Sequence, residues 1–215
     1  MLNIESLLGQ IPKELADRKK KKREMQKLFQ TYGQELVVYG HGNLGIELEK
    51  GLENADWPVR CFLDAKKPTD LSQKNINLKD AKQYLSENAI IIVALYDIFT
   101  EYPSIQRNLK EKGFQNIFSI LDLRVWPELF QAGHMHSTIG WDIEHIPQEQ
   151  VVKAHSLLAD PISQKTFMEL LHFMVSSPYE KLTLYPPTEQ YMPAEIYTLI
   201  KDERIVDCGA YDGDT

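Results

Sequence analysis

The stretch Glu35-Leu-Val-Val-Tyr-Gly-His-Gly-Asn-Leu-Gly45 decides the fold. Glu35 to Tyr39 reads as a short, mostly apolar strand. Gly40, Gly42 and Gly45 follow with G-x-G-x-x-G spacing, and Asn43 to Asn54 reads as a helix with Leu44, Leu48 and Leu52 four apart on one face. Each glycine has a task in such a turn. The first permits the sharp bend out of the strand, the second lets a phosphate approach the backbone, and the third lets helix and strand pack closely. The helix N-terminus then offers free N–H groups and a partial positive charge to an anion.

Downstream the chain alternates. Pro58 to Leu63 reads as a second strand ending at Asp64, 19 residues beyond Gly45. An acid at that place is where a dinucleotide-binding unit keeps its ribose-hydroxyl acceptor. Equally, Asp64 suits a turn or helix cap before Lys66-Lys67-Pro68. Asn75 to Asn77 is a short extended segment, and Asp80 to Glu87 suits a helix. Ala89 to Leu95 is apolar throughout, as a strand covered on both faces should be. Ile98 to Lys112 reads as a helix closed by Gly113, and Asn116 to Ile120 as a further strand. The alternation implies α/β architecture: a Rossmann-like, doubly wound parallel sheet in three layers. Ligands of such sheets bind at the carboxyl ends of the strands, which places Gly40 to Gly45, Asp64 and the Tyr96-Asp97 loop around one crevice.

Upstream, residues 12 to 30 read as a helix that stops near Gly33. It contains the basic run Arg18-Lys-Lys-Lys-Lys-Arg23. Such a run is either a solvated helix face or a contact for an anionic partner. The whole chain of 215 residues has a net charge of −7, which argues against general nucleic-acid binding. Its 43% hydrophobic and 26% charged composition is that of a soluble globular protein. No apolar run approaches the ~20 residues that span a bilayer, and Met-Leu-Asn-Ile-Glu lacks the form of a secretion signal. Cys61 and Cys208 are too few for a disulfide framework. A reduced, cytoplasmic chain is the expectation.

Beyond Leu121 the pattern loosens. Asp122 to Gln131 suits a short helix, and Ala132 to Ile146 is irregular. It holds His134, His136 and His145, but no spaced acids or cysteines complete a metal site. Gln148 to Leu158 and Ser163 to Val175 read as amphipathic helices, and Tyr185 to Pro193 as a proline-rich connection. The expected organisation is an N-terminal helix (1–33), a Rossmann-like nucleotide-binding domain (34–122), a mainly helical connector (123–201) and the start of another domain (202–215).

That last segment carries a second nucleotide-type turn, Val206-Asp-Cys-Gly-Ala-Tyr-Asp-Gly-Asp-Thr215, after the strand Arg204 to Cys208. With its lead-in, Gln190-Tyr-Met-Pro-Ala-Glu and Asp202-Glu-Arg-Ile, it resembles the first motif of FkbM-family S-adenosylmethionine-dependent methyltransferases. The resemblance implies that Asp207, Gly209 and Gly213 cradle the methionine end of the methyl donor. It also covers the first half, because some members carry an N-terminal Rossmann-like domain with a glycine turn and an Asp after the second strand. The implied parent methylates oxygen of a small molecule or sugar. This chain, holding one strand of the methyltransferase domain, is expected to be inactive alone. The unpaired strand exposes Ile205 and Val206, so the tail is expected to be disordered, to lie on the connector helices, or to pair with another copy in a homo-oligomer.

Two other classes fit parts of the sequence. Tyr197-Thr-Leu-Ile-Lys201 matches the Tyr-x-x-x-Lys pair of short-chain dehydrogenases and sugar-nucleotide epimerases. Alternatively the first domain binds NAD(P) or a nucleotide sugar without catalysis, as a sensor or presenting module.

Overall fold

Two apolar strands, β1 (Leu36–Tyr39) and β4 (Ile90–Val93), are buried along their whole length and pair in parallel at the centre of a five-stranded sheet. The computed structural model describes residues 3–95, 98–130 and 143–175. β2 (Cys61–Asp64) and β3 (Asn75–Asn77) extend the sheet from one side of β1, and β5 (Asn116–Ser119) extends it beyond β4. The order is β3-β2-β1-β4-β5, and every pair is parallel. This is the Rossmann-like α/β fold that the alternation implies. The chain reverses direction across the sheet between β1 and β4, so the crevice at their carboxyl ends is the switch point. α3 (Asn43–Asn54) links β1 to β2, and α5 (Ile98–Glu111) links β4 to β5. Right-handed crossovers put these two helices on opposite faces. Leu44, Leu48 and Leu52 are the buried stripe of α3, as their spacing predicts.

Two departures from the sequence reading have tertiary causes. α4 covers only Ala81–Tyr84, and Leu85 is already extended. The next residue, Ser86, is drawn to Glu35: its N–H (3.2 Å) and its hydroxyl both donate to the carboxylate, which also pairs with Arg60. Arg60 in turn donates to the Tyr84 carbonyl at 3.1 Å. Glu35 thus ties together the starts of β1 and β2 and the approach to β4. After β5, the expected helix from Asp122 is instead two 3-10 turns, Ile120–Val125 and Pro127–Phe130. Asp122 folds back to accept the Ser119 N–H at 2.8 Å, which favours the tighter turn.

Packing is continuous across residue 122. A preceding helix, α2 (Ile11–Tyr32), lays Phe29 against Trp57 and Trp126, with ring centroids 4.7 and 5.6 Å away, and the two tryptophans meet edge-on at 4.9 Å. A smaller apolar cluster joins α1 (Ile4–Leu8), the start of α2 and α7 (Pro161–Val175) through Leu7, Leu8, Ile11, Leu171 and Val175. α6 (Gln148–Ser156) packs on its edge through Val151 and Val152.

The basic run divides between two tasks. Arg18 donates to the carbonyls of Met174 (2.9 Å) and Val175 (3.2 Å), and Arg124 to that of Phe173 (3.3 Å). Two guanidiniums, both paired with Glu14, therefore cap the C-terminal carbonyls of α7. Lys21 meets the buried Asp122 at 2.5 Å, and Lys22 meets Glu128 at 2.7 Å. Lys19, Lys20 and Arg23 stay exposed. Half of the run is thus an internal strap rather than a solvated face or a partner contact.

Trp126 is 2% exposed and closes the aromatic trio. Trp126→Ala should cost about 3–5 kcal/mol in urea unfolding. A loss below about 1 kcal/mol would show that the trio does not hold α2 to the sheet.

Candidate functional site

The glycine turn leaves β1 at Gly40, whose φ is +106°. A side chain there would sit 2.6 Å from the Ala94 carbonyl oxygen of the neighbouring strand end. At Gly45 a Cβ would lie 1.9 Å from the Gly40 carbonyl oxygen, so only glycine lets α3 begin this close to the strand. Gly42 differs. Its backbone is extended (φ −109°, ψ −171°), and an added Cβ would meet nothing within 4 Å. The fold itself requires glycine at 40 and 45. At 42 it leaves open space, directly before the first turn of α3. Gly42 is the cap residue of that helix, and no side chain caps it. Its first N–H groups are therefore available to an anion.

Asp64 takes the turn-closing role expected of it and also lines the cleft. Its Oδ1 accepts the N–H groups of Lys66 (2.7 Å) and Lys67 (3.0 Å), closing the turn after β2. Its Oδ2 accepts the His41 N–H at 3.3 Å, reaching across to the glycine turn. A carboxylate oxygen takes about two hydrogen bonds, so Oδ2 keeps capacity for a ligand hydroxyl. Burial pushes the Asp64 carboxyl up. The three N–H donors and the Lys67 ammonium outweigh it and hold the group below the usual carboxylate range.

His41, the residue between the first two glycines, was not singled out by its sequence position, yet it is anchored at four points. Its ring stacks flat on Phe62, 4.1 Å between centroids and 2° between planes. Its Nδ1 donates to the Asn75 side-chain oxygen at 3.1 Å, while the Asn75 amide donates to the Pro68 carbonyl at 2.6 Å. The His41 N–H goes to Asp64, and the His41 carbonyl accepts the Lys67 ammonium. Asn75, 2% exposed on the edge strand, is thereby a satisfied buried polar group.

A cleft of about 270 Å³ opens at the switch point, lined by Tyr39, the glycine turn from Gly40 to Asn43 and Asp64, and by Ala94, Leu95, Glu101 and Ile105. Tyr39 is buried. Burial, then the carboxylates of Asp64 and Glu101, push its phenol up, so it stays neutral at ordinary pH. A larger hollow of about 440 Å³ follows the exposed face of α2, but its lining residues, Lys20 to Gln30, all come from that one helix and enclose nothing.

Several sequence-predicted residues lie outside the described residues: Tyr96 and Asp97, His134 and His136, Tyr197 and Lys201, and the methyl-donor turn of Asp207, Gly209 and Gly213. His145 is exposed on the far side of that gap in sequence. No helix of the described residues is long and apolar enough to cross a membrane.

The Asp64 geometry sets a pH dependence. Its folded pKa lies below the unfolded value of about 3.9, so the unfolded chain binds more protons there and stability falls as pH drops through that window. Asp64→Asn should flatten the acid limb of a stability–pH profile below about pH 4 relative to the parent. Parallel limbs would mean that the three N–H bonds do not distinguish the folded carboxylate. No family model, no curated protein and no solved structure matches this chain.

Proposed function

We propose that residues 34–122 bind a ribonucleotide, NAD(H) or a nucleotide sugar, in the Gly40–Gly45 cleft. One observation carries this reading: the uncapped start of α3 beneath the open face of Gly42 shares a cleft with Asp64. The helix start supplies N–H groups to a phosphate, and Oδ2 of Asp64 supplies an acceptor to the adjoining ribose hydroxyl. An acid at that place disfavours a 2′-phosphate, so NAD(H) is preferred over NADP(H). The cleft, near the low end of the ~300–1,000 Å³ usual for ligand sites, suits one nucleotide half with the remainder of the ligand extending outward. Binding, not turnover, is what these residues explain.

A second reading concerns the other end of the chain. The sequence Val206 to Thr215 supports methyl transfer from S-adenosylmethionine to a small molecule or sugar, by a complete domain to which 202–215 contributes the first strand and turn. In that arrangement the Rossmann-like domain is an accessory binding module. Equilibrium dialysis with labelled S-adenosylmethionine, using protein that carries the whole methyltransferase domain, tests it. Binding that survives Asp207→Ala would remove Asp207 from the donor site.

Calorimetry with NADH and UDP-glucose tests the first reading. Gly42→Ala should weaken binding by about tenfold or more, equivalent to ~1.4 kcal/mol, while leaving the melting curve unchanged, because the added methyl fills ligand space and touches no protein atom within 4 Å. Gly45→Ala should instead lower the melting temperature through its clash with the Gly40 carbonyl. No heat with any nucleotide would leave the cleft a structural feature.

A further inference from the structure

His41 lines the cleft and is half-buried. Its surroundings fix which ring nitrogen carries the proton. The Asn75 amide nitrogen donates to the Pro68 carbonyl at 2.6 Å, so the Asn75 oxygen is the atom turned toward His41. That oxygen only accepts, and Nδ1, 3.1 Å away, must therefore bear the hydrogen. In the neutral ring Nε2 is then a bare acceptor. One face of the ring is covered by Phe62 and the Nδ1 edge by Asn75, both buried. The edge left open is the far one, which carries Nε2. Among the described residues no hydrogen bond reaches Nε2, yet it is not a buried atom. Those residues also hold no group of three or more metal-ligating side chains for it to join. The anchors of the ring lie on β2 and β3, the Asp64 side of β1, and the N–H of His41 itself donates to Asp64 Oδ2. A fixed lone pair thus stands on the side of the cleft where Asp64 offers its own acceptor, away from β4 and α5.

We propose that Nε2 of His41 is a second ribose acceptor in this cleft, taking a hydrogen bond from one pentose hydroxyl while Asp64 takes the other. The proposal rests on the nucleotide reading of the Gly40–Gly45 cleft and adds what that site asks of the sugar. The recognised group is a vicinal diol: two O–H donors on neighbouring carbons, met by two groups that accept and do not donate. A deoxy sugar presents one donor too few and leaves one acceptor desolvated without a partner. A phosphate at the same place would set its oxygen lone pairs against that of Nε2. His41 is thereby a specificity-determining residue for ribonucleotides over deoxyribonucleotides. Asn75 is a positioning residue. It lies behind the ring and fixes the tautomer without reaching the ligand.

The test has two parts. Long-range proton–nitrogen NMR of the histidine side chains, at alkaline pH where imidazoles are neutral, reads the tautomer directly. His41→Asn assigns the ring by the loss of one set of signals. The ligand-free parent should show Nδ1–H with a lone pair on Nε2, and Asn75→Ala should populate the Nε2–H form. An Nε2–H ring in the parent overturns the proposal whatever the ligand, and so does an Nε2 resonance that saturating ADP leaves unmoved. Calorimetry then compares ADP with 2′-deoxy-ADP and 3′-deoxy-ADP. Each deoxy analogue should bind the parent about three- to tenfold more weakly. In His41→Asn the shorter amide keeps a donor for Asn75 but has no counterpart of Nε2. One of the two penalties should then vanish while the other, from Asp64, persists, and melting curves check the fold. Both penalties intact in His41→Asn, or a parent indifferent to both deletions, overturns the ribose contact and leaves nucleotide binding in place. Failure of ADP to bind overturns the ribose contact, and failure of NADH and UDP-glucose as well overturns the nucleotide reading with it.

Discussion

The constraint on which the structure depends is the approach of α3 to the end of β1, where a Cβ at residue 45 would sit 1.9 Å from the Gly40 carbonyl oxygen. That closeness fixes where α3 starts and how it lies on the sheet. With its first turn locked over β1, Leu44, Leu48 and Leu52 reach the buried face, and the helix axis aims its N-terminus at the carboxyl end of β1. The same contact that packs the core therefore orients an uncapped helix start toward the cleft. Gly40, with its positive φ, lets the chain turn away before the helix begins. Stability and site are set by the same two residues, and Gly42 between them is the position the fold leaves undetermined.

Much of this was legible in the sequence because it is local. The glycine spacing, the leucine stripe of α3, the apolar run at β4 and the acid ending β2 each follow from short-range periodicity or turn chemistry. What was not legible is set by partners far away in the chain. α4 stops early because Glu35, 51 residues before Ser86, captures that residue. Asp122 turns a helical pattern into 3-10 geometry by bonding Ser119, and its charge is met by Lys21, 101 residues upstream. The basic run reads as a surface feature in sequence. Its arginine at 18 instead closes a helix end 156 residues later. His41 was hidden for the same reason: a residue between two glycines carries no periodicity, and its anchors, Phe62 and Asn75, sit on other strands.

Asp64 shows how a spacing rule and a structural role coexist. The acid is where a ribose acceptor belongs, and it also holds its own turn and the glycine turn through three N–H groups. These bonds keep the carboxyl ionised and point Oδ2 toward the cleft. On the nucleotide reading proposed above, the structural use does not compete with a binding use; it aims the group. An asparagine would retain one acceptor oxygen but lose the charge that gathers all three donors.

The anchoring of His41 bears on what binding costs. A glycine-rich loop is free to sample many backbone states, and ordering it on ligand capture would cost on the order of 1–2 kcal/mol per residue. Here the residue at the centre of the loop is held by stacking on Phe62, by Asn75, by Asp64 through its N–H and by Lys67 through its carbonyl. All four partners belong to β2, β3 or the turn between them, elements that the sheet already fixes. The loop is thus ordered before any ligand arrives, and the entropy has been spent in folding. On the nucleotide reading proposed above, a preformed loop leaves the affinity of the cleft to the few charges and N–H groups that face it.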